Sequence, residues 1–235
     1  MIPLKDMTPR KSAPVMTLLL IAVNVIVFVH QLSLTPRQEA AFIRMYGLIP
    51  YKIEMAFAGN HYTLAQALLP LFTCMFLHGG FLHIIGNMWF LWIFGANVED
   101  RFGSIPYLFF YLVCGIGSGI SQAMFSWGSH LPSIGASGAI SGVLGAYIVL
   151  FPGSQILTLV PLLILWWTMR LPAVIFIGLW FLLQFLSGLG SLQTPGASNL
   201  GGVAWWAHVG GFILGALLAL AVRPKSRRAD IWGNT

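Results

Sequence analysis

Several polar side chains of this chain lie within long apolar stretches, and their types suit nucleophilic catalysis. His83 and Asn87 are four residues apart, so a helix would present them on one face. Ser137 and His208 each lie among glycines and alanines further along the chain. A hydroxyl, two imidazoles and an amide can form a serine nucleophile, its histidine base and the donors that bind an oxyanion. Because strongly polar side chains are costly in hydrocarbon, each of the four requires an explanation.

The predicted role of each residue follows from its position. Ser137 would begin a helix, so its backbone N–H would have no partner within that helix and would lie at the positive end of the helix dipole. We therefore expect Ser137 to be the nucleophile and its N–H to contribute to the oxyanion site. His208 would accept the serine proton and return it to a leaving amine, while Asn87 and His83 would donate to the oxyanion. Ser141 is a second candidate nucleophile, but it lacks the N–H at the helix end.

The positions of the acidic residues exclude other chemistries. No Asp or Glu occurs at 55–98 or at 101–229, which excludes a membrane-embedded aspartate pair and a carboxylate proton relay. The chain contains no His-Glu-x-x-His pattern, so we expect no metal and no other cofactor. Cys74 and Cys114 lie in apolar runs and predict neither a disulfide nor a zinc site. Without a carboxylate to orient His208, the serine and the histidine would act as a dyad.

The elements that must position these groups are membrane-spanning helices. Only 12 basic and 6 acidic residues occur among 235, a charged fraction of 8%. A typical soluble domain has roughly 25%. The intervals without a charged residue are 12–36, 55–98, 102–169 and 171–222. A spanning helix needs only about 20 apolar residues, and the runs lack the period-two alternation of a β-barrel. The chain is therefore predicted to be an all-α, multi-pass membrane protein in contact with the lipid bilayer.

Six spanning helices are predicted. Their approximate bounds are 15–32, 72–96, 104–125, 137–152, 172–188 and 204–222. The apolar segment 156–167 is too short to cross and contains Pro161, so we interpret it as an interfacial or re-entrant piece. The alternative, a seventh span, would place the two tails on opposite sides of the membrane.

The basic residues favour six spans with both termini in the cytoplasm. Nine of the 12 Lys and Arg residues would then lie inside, and three would lie in the outer loop at 33–71. The net charge of +6 reflects mainly the two tails, so we expect no nucleic-acid partner. The predicted division is a cytoplasmic tail at 1–14, a six-span domain at 15–222 and a second cytoplasmic tail at 223–235. We expect the location to be a bacterial-type plasma membrane.

Topology and small residues would bring the candidate groups together. The second, fourth and sixth helices would all run inward, so the polar motifs would share one depth near the outer face. Gly138 begins a glycine stripe on the fourth helix, and Ala207, Gly211 and Gly215 repeat every four residues on the sixth. Such faces let two helix backbones approach closely. The Gly-Ala-Ser-Gly sequence that begins at Gly135 is by itself typical of helix packing. Because it would lie at the same depth as the other polar motifs, a catalytic role is favoured instead.

In combination, the motifs resemble those of the rhomboid intramembrane serine proteases. The matching stretches are Phe76-Leu77-His78-Gly79-Gly80, His83-Ile84-Ile85-Gly86-Asn87-Met88, Gly135-Ala136-Ser137-Gly138, Ala207-His208-Val209-Gly210-Gly211 with Gly215, and Asn97-Val98-Glu99-Asp100 with Gly103. The resemblance covers about 72–222. It implies Ser137 as the nucleophile, His208 as the general base, and His83 with Asn87 as the oxyanion donors.

The resemblance also implies a fold and a substrate class. The fold would be a six-helix rhomboid-like bundle whose first outer loop lies partly in the membrane surface. The substrates would be single-span transmembrane proteins that are cut near the outer membrane face. Two positions differ from the family pattern. Many members carry Trp-Arg just before the second helix, where this chain has Leu68-Leu69-Pro70-Leu71. Well-known members have an aromatic residue that stacks on the catalytic histidine, where this chain has Ser141.

The favoured hypothesis is an intramembrane serine endopeptidase with a Ser-His dyad. The alternative is a non-catalytic relative that binds membrane helices, although such proteins usually lack the serine or the histidine and this chain has both. A transporter or channel is a third hypothesis. It would need a charged or discontinuous site in mid-membrane, whereas the polar residues here cluster near one face.

Overall fold

The computed structural model describes residues 1–162, 165–193 and 203–222, and this part of the chain is mostly helical. The helices are α1 (Val15–Ser33), α2 (Pro36–Tyr46), α3 (Pro50–Phe57), α4 (Leu64–Thr73), α5 (Phe81–Phe90), α6 (Ala96–Phe102), α7 (Ser104–Phe125), α8 (Ser137–Leu150), α9 (Ala173–Gln193) and α10 (Trp205–Val222). The strands are β1 (Ile2–Asp6), β2 (Gln155–Leu162) and β3 (Leu165–Pro172). The predicted tail at 223–235, with its basic residues, lies outside the described residues.

Five described helical segments are long and apolar enough to cross a membrane. They are Val15–Ser33, Phe81–Phe102, Ser104–Phe125, Ala173–Leu192 and Trp205–Val222. The chain is therefore an integral, multi-pass membrane protein in contact with the lipid bilayer. Helix α8 has 14 residues. It is about 21 Å long, whereas the hydrocarbon core is about 30 Å thick. The six-span count needs α8 as a further span and stays a prediction.

The second predicted helix, 72–96, has different bounds in the structure. Its first two residues belong to α4, a 3₁₀ turn follows at Cys74–Phe76, and α5 begins only at Phe81. Gly80 adopts a φ of 152°, a conformation that favours glycine, and this interrupts the helix. A π-helical turn at Leu91–Gly95 then joins α5 to α6. The other five predicted helices agree with α1, α7, α8, α9 and α10 to within five residues at each end.

The loop predicted at 33–71 consists mainly of three short helices, α2 to α4. Thr35 and Thr63 begin α2 and α4 with capping boxes, in which each threonine exchanges hydrogen bonds with the glutamine three residues later. Leu48, between α2 and α3, exchanges two backbone hydrogen bonds with Ser133, at 3.0 and 2.8 Å. The first loop thereby holds the segment that leads to Ser137.

The prediction of an all-α fold was wrong, because β1, β2 and β3 form an antiparallel sheet in that order. The segment predicted as an interfacial or re-entrant piece contributes to the antiparallel strands β2 and β3. The predicted N-terminal tail supplies β1, the third strand of the sheet. Pro161 disfavours a helix at this point, while Ile156, Thr158 and Val160 are β-branched residues that favour a strand. The ladder also pairs the backbone polar groups of this apolar segment.

Helix α8 lies at the centre of the bundle, and every residue from Gly138 to Tyr147 is buried. Its backbone touches that of α10, as the small residues predicted. A Cβ atom on Gly211 would overlap the carbonyl oxygen of Gly138, and one on Gly215 would overlap that of Gly142. Only glycine permits this approach, which brings the N-terminal ends of the two helices together.

Glu99 joins three helices at the opposite end of the bundle. Its carboxylate accepts hydrogen bonds from the backbone N–H groups of Met16 and Thr17, both at 2.8 Å, and from the Thr17 hydroxyl at 2.8 Å. The Ser104 hydroxyl donates to the same carboxylate at 2.6 Å. Glu99 therefore caps α1 from α6 and connects both to α7.

Candidate active site

Ser137 and His208 lie in direct contact where α8 and α10 begin. The distance between Ser137 Oγ and His208 Nε2 is 2.8 Å. Ser137 is the first residue of α8, so its backbone N–H has no partner within the helix. His208 occupies the first turn of α10, and only 7% of its surface is exposed. The two groups predicted to react together are thus within hydrogen-bond distance.

Ser141, the second candidate nucleophile, has a different partner. Its hydroxyl donates to the carbonyl oxygen of Ser137 at 2.6 Å, and the side chain is fully buried. A hydroxyl that bonds the preceding turn of its own helix is occupied by backbone. The geometry therefore favours Ser137.

Residues that the sequence did not single out surround the His208 ring. Gln184 of α9 places its Oε1 atom 2.7 Å from His208 Nδ1. The Trp180 ring lies 5.8 Å from the His208 ring, and the Trp205 ring approaches it edge-on at 6.3 Å. The signal for Gln184 was present, because it is a strongly polar side chain inside the apolar run predicted at 172–188.

Asn87 of α5 shares a cavity with the serine and the histidine. The cavity has a volume of about 280 Å³. Its lining residues are Gly86, Asn87, Phe90, Ser137, Ile140, Leu144, Trp180, Gln184, Val203, Trp205 and His208. Asn87 Nδ2 lies 3.0 Å from His78 Nε2, and an amide nitrogen can only donate, so one of its two N–H groups is bound there. The other has no partner within the described part of the chain and can serve a ligand.

His78 supports this arrangement from the loop before α5. The side chain is fully buried, and Gln31 of α1 binds its backbone N–H and its carbonyl group, both at 3.0 Å. Burial lowers the pKa of His78 to about 4, so the ring is neutral at pH 7 and can accept the hydrogen bond from Asn87. In the sequence this histidine is part of a stretch that matches the rhomboid motifs, and its contact with Asn87 is an addition from the structure.

His83 contacts the segment before Ser137 and is not among the residues that line the cavity. Its Nδ1 accepts a hydrogen bond from the Gly79 N–H at 3.4 Å, so the neutral ring carries its proton on Nε2. A Cβ atom on Gly135 would lie 2.6 Å from that Nε2, and Gly135 has a φ of 126°. A donor thus faces the backbone two residues before Ser137, at a position that requires glycine.

The groups near Ser137 are suited to acid-base chemistry. Among the described residues, no three His, Cys, Asp or Glu side chains come together as metal ligands. The arrangement consists of a hydroxyl, an imidazole in contact with it, and N–H donors at a helix start. These are the parts that acyl transfer requires.

A family model described as the rhomboid domain matches residues 65–225 of the chain. The chain belongs to the rhomboid family. The matched region contains all five of the motif stretches named above, and with them Ser137, His208, Asn87 and His83.

Curated rhomboid proteins match part of the chain. RHOMBOID-like protein 4 of Arabidopsis thaliana is 35% identical over 156 residues, which are 66% of this chain and 34% of that protein. Rhomboid protein 1, mitochondrial, of Saccharomyces cerevisiae is 32% identical over 165 residues, which are 65% of this chain and 42% of that protein. Rhomboid protease GluP of Bacillus subtilis is 45% identical over 76 residues, which are 32% of this chain and 14% of that protein. The matches thus span less than half of each relative.

Proposed function

We propose that the protein is an intramembrane serine endopeptidase in which Ser137 and His208 form the catalytic dyad. The observation that carries the proposal is the 2.8 Å distance between Ser137 Oγ and His208 Nε2. Membership of the rhomboid family and the similarity to a relative named as a rhomboid protease support it.

The reaction begins when Ser137 Oγ attacks the carbonyl carbon of a substrate peptide bond. His208 Nε2 accepts the hydroxyl proton as the bond forms and then donates it to the leaving amine. A water molecule, deprotonated by the same nitrogen, then attacks the acyl-enzyme, and His208 returns that proton to Ser137 Oγ as the ester bond breaks. The proton therefore moves on and off a single atom, which faces the nucleophile throughout.

Three donors are proposed to bind the oxyanion. The backbone N–H of Ser137 lies at the positive end of the α8 dipole. Asn87 contributes the amide N–H that His78 does not bind, and His83 contributes its Nε2 proton. Removal of one such donor in other enzymes costs about 10²- to 10³-fold in turnover.

The proposed substrates are single-span transmembrane proteins. A helical backbone in a membrane has its carbonyl groups hydrogen-bonded, so a substrate must unwind locally before a peptide bond can reach Ser137. Helix-weakening residues near the cut should therefore increase cleavage. The mainly apolar lining of the cavity fits the side chains of such a segment.

The proposed topology has six spans, both termini in the cytoplasm and the site near the outer face. The division of basic residues, nine inside and three outside, supports this orientation. The proposed location is a bacterial-type plasma membrane. Reporter fusions at residue 60 and after residue 222 should report opposite sides of the membrane, and a common side would refute the orientation.

Cleavage of a model single-span substrate in proteoliposomes tests the function. Ser137→Ala and His208→Ala should abolish cleavage and also labelling by a serine-directed fluorophosphonate. Ser141→Ala is the matched control, because it removes a hydroxyl one turn away on the same helix and should leave both signals. Persistent cleavage by either dyad variant would defeat the proposal. A wild-type protein that binds substrate helices without cleavage or labelling would indicate the non-catalytic alternative.

A further inference from the structure

We propose that Gln184 is a positioning residue that holds His208 in the tautomer able to act as a base. This inference rests on the proposed function. The Gln184 Oε1 atom lies 2.7 Å from His208 Nδ1, on the side of the ring opposite to Ser137. Ser137, His208 and Gln184 thus form a continuous hydrogen-bonded chain through α8, α10 and α9.

The tautomer follows from what each partner can do. A neutral imidazole carries one proton, on either nitrogen, and a serine hydroxyl can both donate and accept. Contact with Ser137 therefore leaves the tautomer undecided. An amide oxygen only accepts, so its contact with Nδ1 places the proton there and leaves the Nε2 lone pair directed at the Ser137 hydroxyl.

The same contact persists during the reaction. Once Nε2 has taken the serine proton, both ring nitrogens carry hydrogen and both need acceptors. Gln184 Oε1 then accepts from Nδ1 of the imidazolium as it did from the neutral ring. The reversed amide, with its NH₂ group towards Nδ1, would lose its bond at this step. Both protonation states of His208 in the catalytic cycle therefore require the Gln184 oxygen, and not its NH₂ group, to face Nδ1.

A neutral acceptor also suits the surroundings. A carboxylate in this position would need to be buried beside membrane helices, which is costly without a cationic partner. Glutamine orients the imidazole without adding a net charge. This explains how His208 can be oriented although the chain has no Asp or Glu from 101 to 229.

The α9 helix supplies ring packing as well as the hydrogen bond. Trp180 lies one turn before Gln184, so both side chains occupy one face of α9 towards His208. One turn after Gln184, a Cβ atom on Gly188 would lie 3.3 Å from the Trp206 ring, which shows how closely α9 and α10 pack. The support that the family resemblance places at position 141 is thus provided here by α9.

Substitutions at two glutamines test the role. Gln184→Leu keeps a similar volume but removes the acceptor, whereas Gln184→Glu keeps an acceptor and adds charge. Gln122→Leu is the matched control. Gln122 of α7 accepts a hydrogen bond from the Ala207 N–H at 3.1 Å, next to His208 in the chain, without contacting the imidazole. It therefore reports the structural cost of losing a glutamine that holds α10.

We expect Gln184→Leu to lower kcat about 100-fold with KM changed less than about twofold, since a histidine in the wrong tautomer costs up to about 10⁴-fold elsewhere. Gln184→Glu should recover most of the rate. It should also move the acidic limb of the kcat/KM profile to higher pH, because a carboxylate stabilises the imidazolium. Gln122→Leu should change kcat less than about threefold and leave the pH profile in place. Equal losses in the two leucine variants, without recovery by glutamate, would overturn the proposal, as would wild-type kinetics in Gln184→Leu.

Nitrogen-15 NMR of histidine-labelled protein in micelles provides a readout that does not depend on turnover. Wild-type His208 should be protonated on Nδ1 and unprotonated on Nε2, and Gln184→Leu should shift the ring towards the other tautomer. A wild-type ring protonated on Nε2 would refute the role of Gln184 even in an active enzyme. Failure of the proposed function would appear separately, as a wild-type protein that has the expected tautomer but does not cleave.

Discussion

Gly135→Ala is the substitution whose effect follows most directly from the geometry of the site. The new Cβ atom would lie 2.6 Å from His83 Nε2 and 2.8 Å from His83 Cε1, whereas ordinary contacts begin at 3.4 Å. The ring would have to withdraw by about 0.8 Å from its position against Gly135, two residues before Ser137. A misplacement of about 1 Å can cost about 10²-fold in rate. The φ of 126° is also unfavourable for alanine, and strain of this kind costs about 1–3 kcal/mol.

We therefore expect Gly135→Ala to lower kcat by about 30- to 100-fold. The free energy of unfolding should fall by about 1–3 kcal/mol. Single-turnover cleavage in detergent micelles measures the rate, and thermal unfolding followed by circular dichroism measures stability. Gly79→Ala is the matched control, because its Cβ atom would lie 3.8 Å from Nδ1 of the same histidine, an ordinary contact. It should retain the wild-type rate.

The double variant Gly135→Ala/His83→Ala identifies the cause. If the collision with His83 carries the effect, adding Gly135→Ala to His83→Ala should cost little further rate, since the two substitutions then act on one contact. Fully additive losses would show that the backbone conformation, and not the histidine, carries the effect. A single Gly135→Ala variant with wild-type rate and stability would refute the geometry itself.

Three further predictions concern the oxyanion site, the helix contact and the α1 cap. Asn87→Ala should reduce kcat by about 10²- to 10³-fold in the cleavage assay while KM stays within about threefold, and an unaltered rate would remove Asn87 from the oxyanion site. Gly211→Val should prevent stable packing of α10 on α8, because even a methyl group overlaps the Gly138 carbonyl oxygen. Gly178→Ala is the control, because nothing lies within 4 Å of its Cβ position, and it should unfold like wild type. Similar thermal unfolding of Gly211→Val and Gly178→Ala would contradict the close contact between α8 and α10. Glu99→Gln should lower the free energy of unfolding by about 1–3 kcal/mol, since it replaces charge-assisted hydrogen bonds to the start of α1 with neutral ones. Denaturation of that variant at wild-type temperature would contradict the cap.

Local patterns predicted most of the helices, because apolar runs and their interruptions are local properties. They failed at three places. The segment predicted as a loop at 33–71 consists mainly of the three short helices α2 to α4. The apolar character of 72–80 suggested an early start of the second helix. In the structure, Gly80 has a φ of 152° and α5 begins only at the next residue, Phe81. The apolar piece around Pro161 was not identified as a strand, although its β-branched residues favour one. It pairs with β3, which is close in sequence, and with β1 near the start of the chain. The pairing with β1 depends on a distant segment that no local window contains.

The candidate site divides in the same way. Ser137, His208, Asn87 and His83 could be selected from the sequence because polar groups in apolar helices are rare and costly. Gln184 carries the same signal but belongs to no recognised motif, so its partner could not be named. Its contact with His208, 24 residues away in the chain, exists only because α9 packs on α10.

The sequence by itself determined that this is a multi-pass membrane protein with a serine, two histidines and an asparagine in rare polar positions. These features could be recognised without a tertiary structure, because a polar side chain inside an apolar membrane helix is costly however the helices pack. Only the tertiary structure decided which atoms meet. Ser137 and His208 are 71 residues apart, and their 2.8 Å contact requires the glycines of α8 and α10 to bring two backbones together. A hydrogen bond forms only when donor and acceptor atoms lie within a few tenths of an ångström of about 2.9 Å. The packing between helices therefore decides which side chains become partners.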